Sequence, residues 1–402
     1  MSESTIYPSA AARLPRWLPP VLVPAALFLA LVSHAAGAQT IIPRPPEIAA
    51  SSFILMDAKT GHVIMEENAS EALPPASLTK IMTSYIAIEE IINGNLAMDD
   101  EVHISEKAWR MDGSKMFVGV NTNVSVADLL RGIIIQSGND ASVAIAEHIA
   151  GSEDAFADMM NQYAEAMGLE QSFFINSSGL DSTEQANSMS ARDLAILARA
   201  TINNHADYYP MYAEREFTYN DIRQPNRNAL LFRNANVDGL KTGWTDRAGY
   251  CLVTSAERDG MRLIAVVMGT ASEDARAVES QKMLAYGFRY FETWKLNDAG
   301  QPLTNVPVWS GVADSVELGL DEPVFVTIQR GRGEELVAAV EVDEVIHAPI
   351  EVGQIMGTIH ISLDGEPVFS SEIAALSAVG RAGAMKRMSD WFSLRFSDLL
   401  AN

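Results

Sequence analysis

A serine followed three residues later by a lysine is the first place where this sequence offers chemistry. In Pro74-Pro75-Ala76-Ser77-Leu78-Thr79-Lys80-Ile81-Met82-Thr83, Ser77 stands at the mouth of a helical run. A serine there ordinarily only caps the helix. Lys80, however, lies one turn on along the same face, where its amine reaches the serine oxygen. If burial and a neighbouring cation keep that amine neutral, it takes the hydroxyl proton and leaves an alkoxide-like nucleophile. By itself the spacing is weak, because about one Ser-x-x-Lys arises by chance in a chain of this length.

Two further stretches bear on it. Gln136-Ser137-Gly138-Asn139-Asp140-Ala141 lies between helical runs and is made of turn formers. Val237-Asp238-Gly239-Leu240-Lys241-Thr242-Gly243-Trp244 precedes a strand pair, and taken singly reads as an edge strand whose Gly243 marks a close backbone approach. Each bland reading wins alone. In sequence, however, Ser-x-x-Lys, Ser-x-Asn and Lys-Thr-Gly follow the order used by penicillin-binding proteins and class A β-lactamases.

The elements that must position these residues follow from hydrophobic period. Ser52 to Met56, the turn Asp57-Ala58-Lys59-Thr60-Gly61, and His62 to Met65 read as strand, turn, strand. Helical periodicity follows at Leu78 to Ile92, Val126 to Ile135, Ala141 to Ala150, Ala155 to Met167 and Ala191 to Ala200. Strands return at Gly249 to Ala256 and Arg262 to Met268, and Ala275 to Trp294 reads as a long helix. Strand pairs at both ends of a helical stretch indicate an α+β domain, here 47–294. Short alternating runs between Val306 and Ile361, broken by Gly, Pro and Asp, then indicate a small all-β domain, 295–372. It gathers no nucleophile, base or ligand set, and reads as a spacer or interaction module.

Composition narrows the function classes. The 402 residues are 48% hydrophobic and 20% charged, enough for a real core and for two or three domains. A net charge of −23 disfavours nucleic acid as a partner. Cys251 is the one cysteine, and the seven histidines show no HExxH or HxxxH spacing. Neither a disulfide, a metal site nor a cofactor is therefore expected.

The ends differ in kind. In residues 1–38, Arg13 and Arg16 precede the apolar run Val21 to Val32 and the small-x-small site Ala36-Gly37-Ala38, as in a cleaved export signal. Twelve apolar residues are short of the roughly 20 that span a bilayer, so an uncleaved anchor is the lesser alternative. Residues 377–402 read as an amphipathic helix: Met385, Met388, Phe392, Phe396 and Leu399 share a face with Trp391 at its margin. Arg381, Lys386, Arg387 and Arg395 outnumber Asp390 and Asp398, against the acidic balance of the chain. That composition suits an in-plane membrane anchor; docking on the protein's own core is the alternative.

With these residues assembled, the chain resembles the serine-type D-alanyl-D-alanine carboxypeptidases, the low-molecular-mass penicillin-binding proteins. The likeness rests on Ala76 to Thr83, Ser137 to Ala141 and Asp238 to Gly243, and extends through Arg330-Gly331-Arg332-Gly333 into that family's C-terminal β-domain. It implies a β-lactamase-like sheet-and-helix catalytic domain, and removal of the terminal D-alanine from peptidoglycan pentapeptide stems through an acyl-enzyme, with β-lactams as acylating inhibitors. It implies a location at the periplasmic face of the cytoplasmic membrane, held peripherally by the C-terminal helix. By the same resemblance Ser77 is the nucleophile and Lys80 its base. Ser137 relays the proton to the leaving amine, and Asn139 holds the substrate amide and Lys80. Lys241 supplies the field that keeps Lys80 neutral. Thr242 and Arg227 receive the terminal carboxylate, and the N–H groups of Ser77 and Trp244, beside Gly243, form the oxyanion hole.

Two positions depart from the family: Ser178 stands where relatives often carry histidine, and Trp244 where many carry a smaller polar residue or histidine. Asp181 is an additional loop candidate. A class A β-lactamase is disfavoured by Gly138, where that class has Asp, and by the missing Glu-x-x-Leu-Asn motif. A binding scaffold without turnover is disfavoured by the intact Ser77, Lys80 and Lys241.

Overall fold

Phe53 to Met56 run apolar without alternation because both faces of their strand are covered: every residue of β1 (Ser52–Asp57) is buried. Successive side chains point to opposite faces. Ile54 and Met56 join the core built on α1 (Lys80–Ile92), α2 (Asn139–Ala150), α3 (Glu153–Ala166) and α4 (Ala191–Asn204). Phe53 and Leu55 join the opposite core, with Met283, Leu284 and Phe288 of α5 (Glu273–Tyr290). The computed structural model describes residues 42–181, 186–342 and 345–401, and side chains as far as Phe392. The expected export signal, 1–38, lies outside the described residues.

Alongside β1 stand β2 (Val63–Glu67), β3 (Val237–Thr245), β4 (Gly249–Arg258) and β5 (Met261–Thr270), in the antiparallel order β2-β1-β5-β4-β3. The strand pairs read from the two ends of the domain are thus one sheet, joined where β1 pairs with β5. β3, which carries Lys241, is its edge.

The long helix begins at Glu273, where the Ser272 hydroxyl accepts from the Ala275 N–H at 3.0 Å, and ends at Tyr290, four residues short of the expected Trp294. Its end is set from a distance. Arg258 and Arg330 both donate to the Phe288 carbonyl, at 2.7 and 3.0 Å, capping the helix from the end of β4 and from a turn farther along the chain. Phe291 to Trp294 instead enter a strand, β6 (Phe291–Asn297), which therefore runs across position 294.

Beyond it lie β7 (Pro302–Trp309), β8 (Ser315–Gly319), β9 (Val324–Gln329), β10 (Val337–Val342), β11 (Ile346–His347), β12 (Ile355–Leu363) and β13 (Glu366–Ala375). β6 pairs with β9, and the others form a sheet in the order β10-β12-β13-β8-β7-β11. Val308, Leu318, Ile359 and Ile373 lie in their common core.

Helix α6 (Ala384–Ala401) starts later than residue 377, because Val379 and Arg381 make bridges to Ile350 and Gly311 of the β-domain. It meets that domain through its polar side. Asp390 accepts from the Ser310 N–H at 2.8 Å, and Lys386 pairs with Asp314. Met385, Met388, Trp391 and Phe392 stay exposed. Among the described residues, no helix is long and apolar enough to cross a membrane.

Candidate active site

Ser77 lies in a 3₁₀ turn, Ala76–Thr79, that runs straight into α1, whose first residue is Lys80. The Lys80 Nζ lies 3.1 Å from Ser77 Oγ, 2.7 Å from Asn139 Oδ1 and 2.6 Å from the Ser178 carbonyl. A neutral amine has two N–H donors and one lone pair. With Asn139 and the Ser178 carbonyl as pure acceptors, the lone pair is left for the Ser77 hydroxyl. Lys80 is fully buried. Burial, and after it the Arg227 cation, pull its pKa down to about 7, against the raising pull of Asp140 and Glu153.

The second motif is held by backbone geometry. A π-helical turn, Gly132–Gln136, delivers Ser137 in a left-handed conformation at φ 66°, and Asn139 then opens α2. The Asn139 amide nitrogen donates to the Asp112 carbonyl at 2.6 Å, which orients its oxygen toward Lys80. The buried Asp140 carboxylate accepts the backbone N–H groups of Met116, Phe117, Val118 and Ala141 at 2.9 to 3.2 Å. It thereby fastens the loop carrying Ser114 against the start of α2.

Ser178 turns its side chain into its own loop, where its hydroxyl accepts from the Leu180 N–H at 3.2 Å. What it offers Lys80 is a main-chain carbonyl. The Asn176 side chain fixes that carbonyl by accepting from the Ser178 and Gly179 N–H groups at 3.1 and 2.7 Å. A Cβ on Gly179, at φ +73°, would lie 1.9 Å from the Ala76 carbonyl oxygen, and one on Gly243 would lie 2.8 Å from that of Pro75. The turn bearing Ser77 is gripped on both sides by positions that admit only glycine without displacement. The close approach read at Gly243 and its part in the third motif are thus the same fact. Asp181 ends the described part of this loop and makes no side-chain contact to the site.

Lys241 is buried on β3 and donates to the Thr242 carbonyl at 3.2 Å, not to either serine. Its pKa is pushed well below the ordinary lysine value, first by burial and then by Lys80, Arg227 and Arg276. The expectation that Lys241 supplies the field on Lys80 is therefore revised: Lys80 is among the groups that lower Lys241, while the cation that lowers Lys80 is Arg227. A second Lys-Thr-Gly, at 59–61, sits in the β1–β2 turn and has no part in this cluster. The tripeptide alone does not find the site; its place after the other two motifs does.

A cavity of about 240 Å³ opens beside Ser77, lined by Ser137, Arg227, Thr242, Gly243 and Trp244. Ser114, Tyr250, Glu273 and Arg276 also line it, and sequence reading missed these four. Arg276 is buried, donates to the Gly243 carbonyl at 3.2 Å and pairs with Glu273 one helical turn before it. Its only sequence signal was an ordinary helical ion-pair spacing. Tyr250 stands opposite Trp244 in the β3–β4 register, and the two rings are 5.8 Å apart. Trp244 is 51% exposed and forms the rim. Among the described residues no cluster suits a metal ion.

Comparison with known proteins places the chain in a family. Residues 39–272 match the family described as D-alanyl-D-alanine carboxypeptidase, and residues 291–381 match the C-terminal domain of penicillin-binding protein 5. The chain is 42% identical to the D-alanyl-D-alanine carboxypeptidase DacA of Escherichia coli K12, covering 89% of this chain and 90% of that one. It is 37% identical to DacF of Bacillus subtilis, covering 85% and 90%. The crystal structure of penicillin binding protein 5 from Haemophilus influenzae superposes with a TM-score of 0.80 at 43% identity, over 84% of this chain and 99% of that one. An α+β sheet-and-helix domain with Ser77, Lys80 and Asn139 in contact, followed by an all-β domain, belongs to a member of the D-alanyl-D-alanine carboxypeptidase family.

Proposed function

We propose that this chain removes the terminal D-alanine from peptidoglycan pentapeptide stems by acylating Ser77. The Ser77 oxygen attacks the carbonyl carbon of the penultimate D-alanine while its proton passes to the Lys80 lone pair. The oxyanion is received by the N–H groups of Ser77 and Trp244. Collapse breaks the C–N bond; the proton reaches the leaving amine by way of Ser137, and D-alanine departs. Water, deprotonated by Lys80, then hydrolyses the Ser77 ester and restores the hydroxyl. Arg227 and Thr242 take the substrate's terminal carboxylate, Asn139 its amide, and Lys241 completes the polar wall.

The observation that carries this reading is the environment of Lys80: an amine held near neutrality by burial, with two fixed acceptors and its third direction on Ser77. A β-lactam enters by the same attack and leaves a bulky acyl group on Ser77. Wild type is expected to release D-alanine from diacetyl-Lys-D-Ala-D-Ala and to be labelled by fluorescent penicillin. Ser77→Ala is expected to do neither, and D-alanine release by that variant at the wild-type rate would end the proposal.

We further infer that residues 47–294 are the catalytic domain and 295–372 a β-domain. Residues 1–38 direct export, and 377–402 hold the protein to the periplasmic face of the cytoplasmic membrane. The exposed Met385, Met388, Trp391 and Phe392, beside Lys386 and Arg387, support the last point. Truncation before Ala384 is expected to move the protein to the soluble fraction with activity on the small peptide retained. An unchanged membrane fraction would refute the anchor.

A further inference from the structure

A second cavity is about four times the volume of the one beside Ser77. A cleft of about 980 Å³ runs between the β1–β2 turn with α4 on one wall and the β8–β9 turn with β13 on the other. Its floor is built. The buried Asp57 carboxylate accepts the hydroxyls of Thr293 and Thr327 at 2.5 and 2.9 Å, and Thr327 lies 2.6 Å from the Thr60 hydroxyl. Four side chains from the catalytic sheet and from β6 and β9 thus lock the two walls together, so the cleft is preformed.

Its walls carry opposite charge. Lys59 and Arg199 line the catalytic side; Asp321, Glu322 and Glu372 line the β-domain side. None of these five forms a salt bridge within the described residues. The Lys59 ammonium rests over the Phe325 ring at 4.4 Å, and Arg199 donates to the carbonyls of Ala58 and Lys59. Two cations without a carboxylate partner on one wall and three carboxylates without a cationic partner on the other leave both signs to be met by something else. Solvent meets them when the cleft is empty. A ligand with a carboxylate at one end and an ammonium at the other meets them with charge-assisted hydrogen bonds and reverses neither wall.

We propose that this cleft is a second, non-catalytic binding site for a zwitterionic peptide, its carboxylates toward Lys59 and Arg199 and its amine toward Asp321, Glu322 and Glu372. Peptidoglycan stems, which carry free carboxylates and a side-chain amine, have this chemistry. The identification of the stem as the occupant rests on the function proposed above. A site of this kind holds an already trimmed or neighbouring stem while Ser77 acts on another.

The test separates the two sites by filling the first. Full-length protein acylated with penicillin is titrated with dansyl-L-Ala-γ-D-Glu-L-Lys, and fluorescence anisotropy reads binding. Saturable binding to the acylated protein is expected, weakened at least tenfold by Lys59→Glu and by Glu322→Lys. Both variants should release D-alanine from diacetyl-Lys-D-Ala-D-Ala at the wild-type rate, which also shows that they fold. Absence of binding to the acylated protein, or a loss below tenfold in either variant, overturns the cleft. Failure of D-alanine release by wild type would overturn the catalytic reading instead.

Discussion

Two groups of basic side chains stand on the catalytic domain, and they have opposite fates. Arg227 and Arg276 line the 240 Å³ cavity, and the buried Lys80 and Lys241 contact its lining residues Ser77 and Thr242. Lys59 and Arg199 stand along the 980 Å³ cleft, with Lys59 exposed. Burial among like charges withdraws solvation from an ammonium and adds repulsion, so the proton leaves and the amine becomes a base. Water over an ammonium preserves the charge and makes it a binding group. The smaller cavity is therefore the chemical one, and volume alone would have chosen the wrong place.

The contrast breaks most sharply at Lys80. Lys80→Met is expected to lower acylation by fluorescent penicillin about 10²- to 10⁴-fold, the usual worth of a positioned general base. Removing a buried amine is favourable, but Asn139 Oδ1 and the Ser178 carbonyl lose their donor at about 1–3 kcal/mol, so the same variant should show a modest fall in the thermal midpoint. A large loss of stability together with activity would mean that Lys80 is structural. In wild type, kcat/KM is expected to rise with pH through about 7 and then level, since the free amine is the active form and lies above its pKa. A profile flat from pH 5.5 to 8.5 would show that no such amine is needed.

Next in size is the grip on the nucleophile turn. Gly179→Ala places a Cβ against the Ala76 carbonyl at a positive φ, and is expected to cost about 2–4 kcal/mol in urea unfolding, from strain and overpacking together. A variant as stable as wild type would show that the Ser178 loop yields easily. This grip explains what the sequence could and could not convey. Ser77, Lys80 and Asn139 were legible because the chemistry demands those types at short spacing and the chain order is preserved. The sheet's strands were legible from unbroken apolar runs. The end of α5 was not, because Arg258 and Arg330 cap it from residues distant in the chain. Nor was Arg276, whose partner is a backbone carbonyl on β3, nor the direction of coupling between the two lysines, which depends on burial in three dimensions. Nor was the part played by position 178, because a main-chain carbonyl has no letter in the sequence.

Arg227 offers a sharper probe of the crowding. It lowers the Lys80 pKa and lines the cavity, so Arg227→Gln is expected to move the rising limb of kcat/KM to higher pH. KM for the dipeptide terminus should also increase, for an overall loss of about tenfold at pH 7, where a charged hydrogen bond is removed. A rise in KM with an unmoved limb would assign Arg227 to binding alone.

Asp140 tests the same field from the other sign and should give the smallest effect. Its carboxylate raises the Lys80 pKa, so Asp140→Asn is expected to shift the limb to lower pH, opposite to Arg227→Gln. The amide keeps one acceptor oxygen where the carboxylate had two. Some of the four N–H groups at 116–118 and 141 therefore lose their partner, at about 1–3 kcal/mol of stability. Faster amide hydrogen exchange confined to the 112–118 loop would register that loosening, separately from the pH profile. If the limb moved up instead, the Asp140 carboxylate would not be the negative charge that raises Lys80. Lys59→Glu, in the solvated cleft, should leave the limb where it is, because its charge meets water before it meets Lys80.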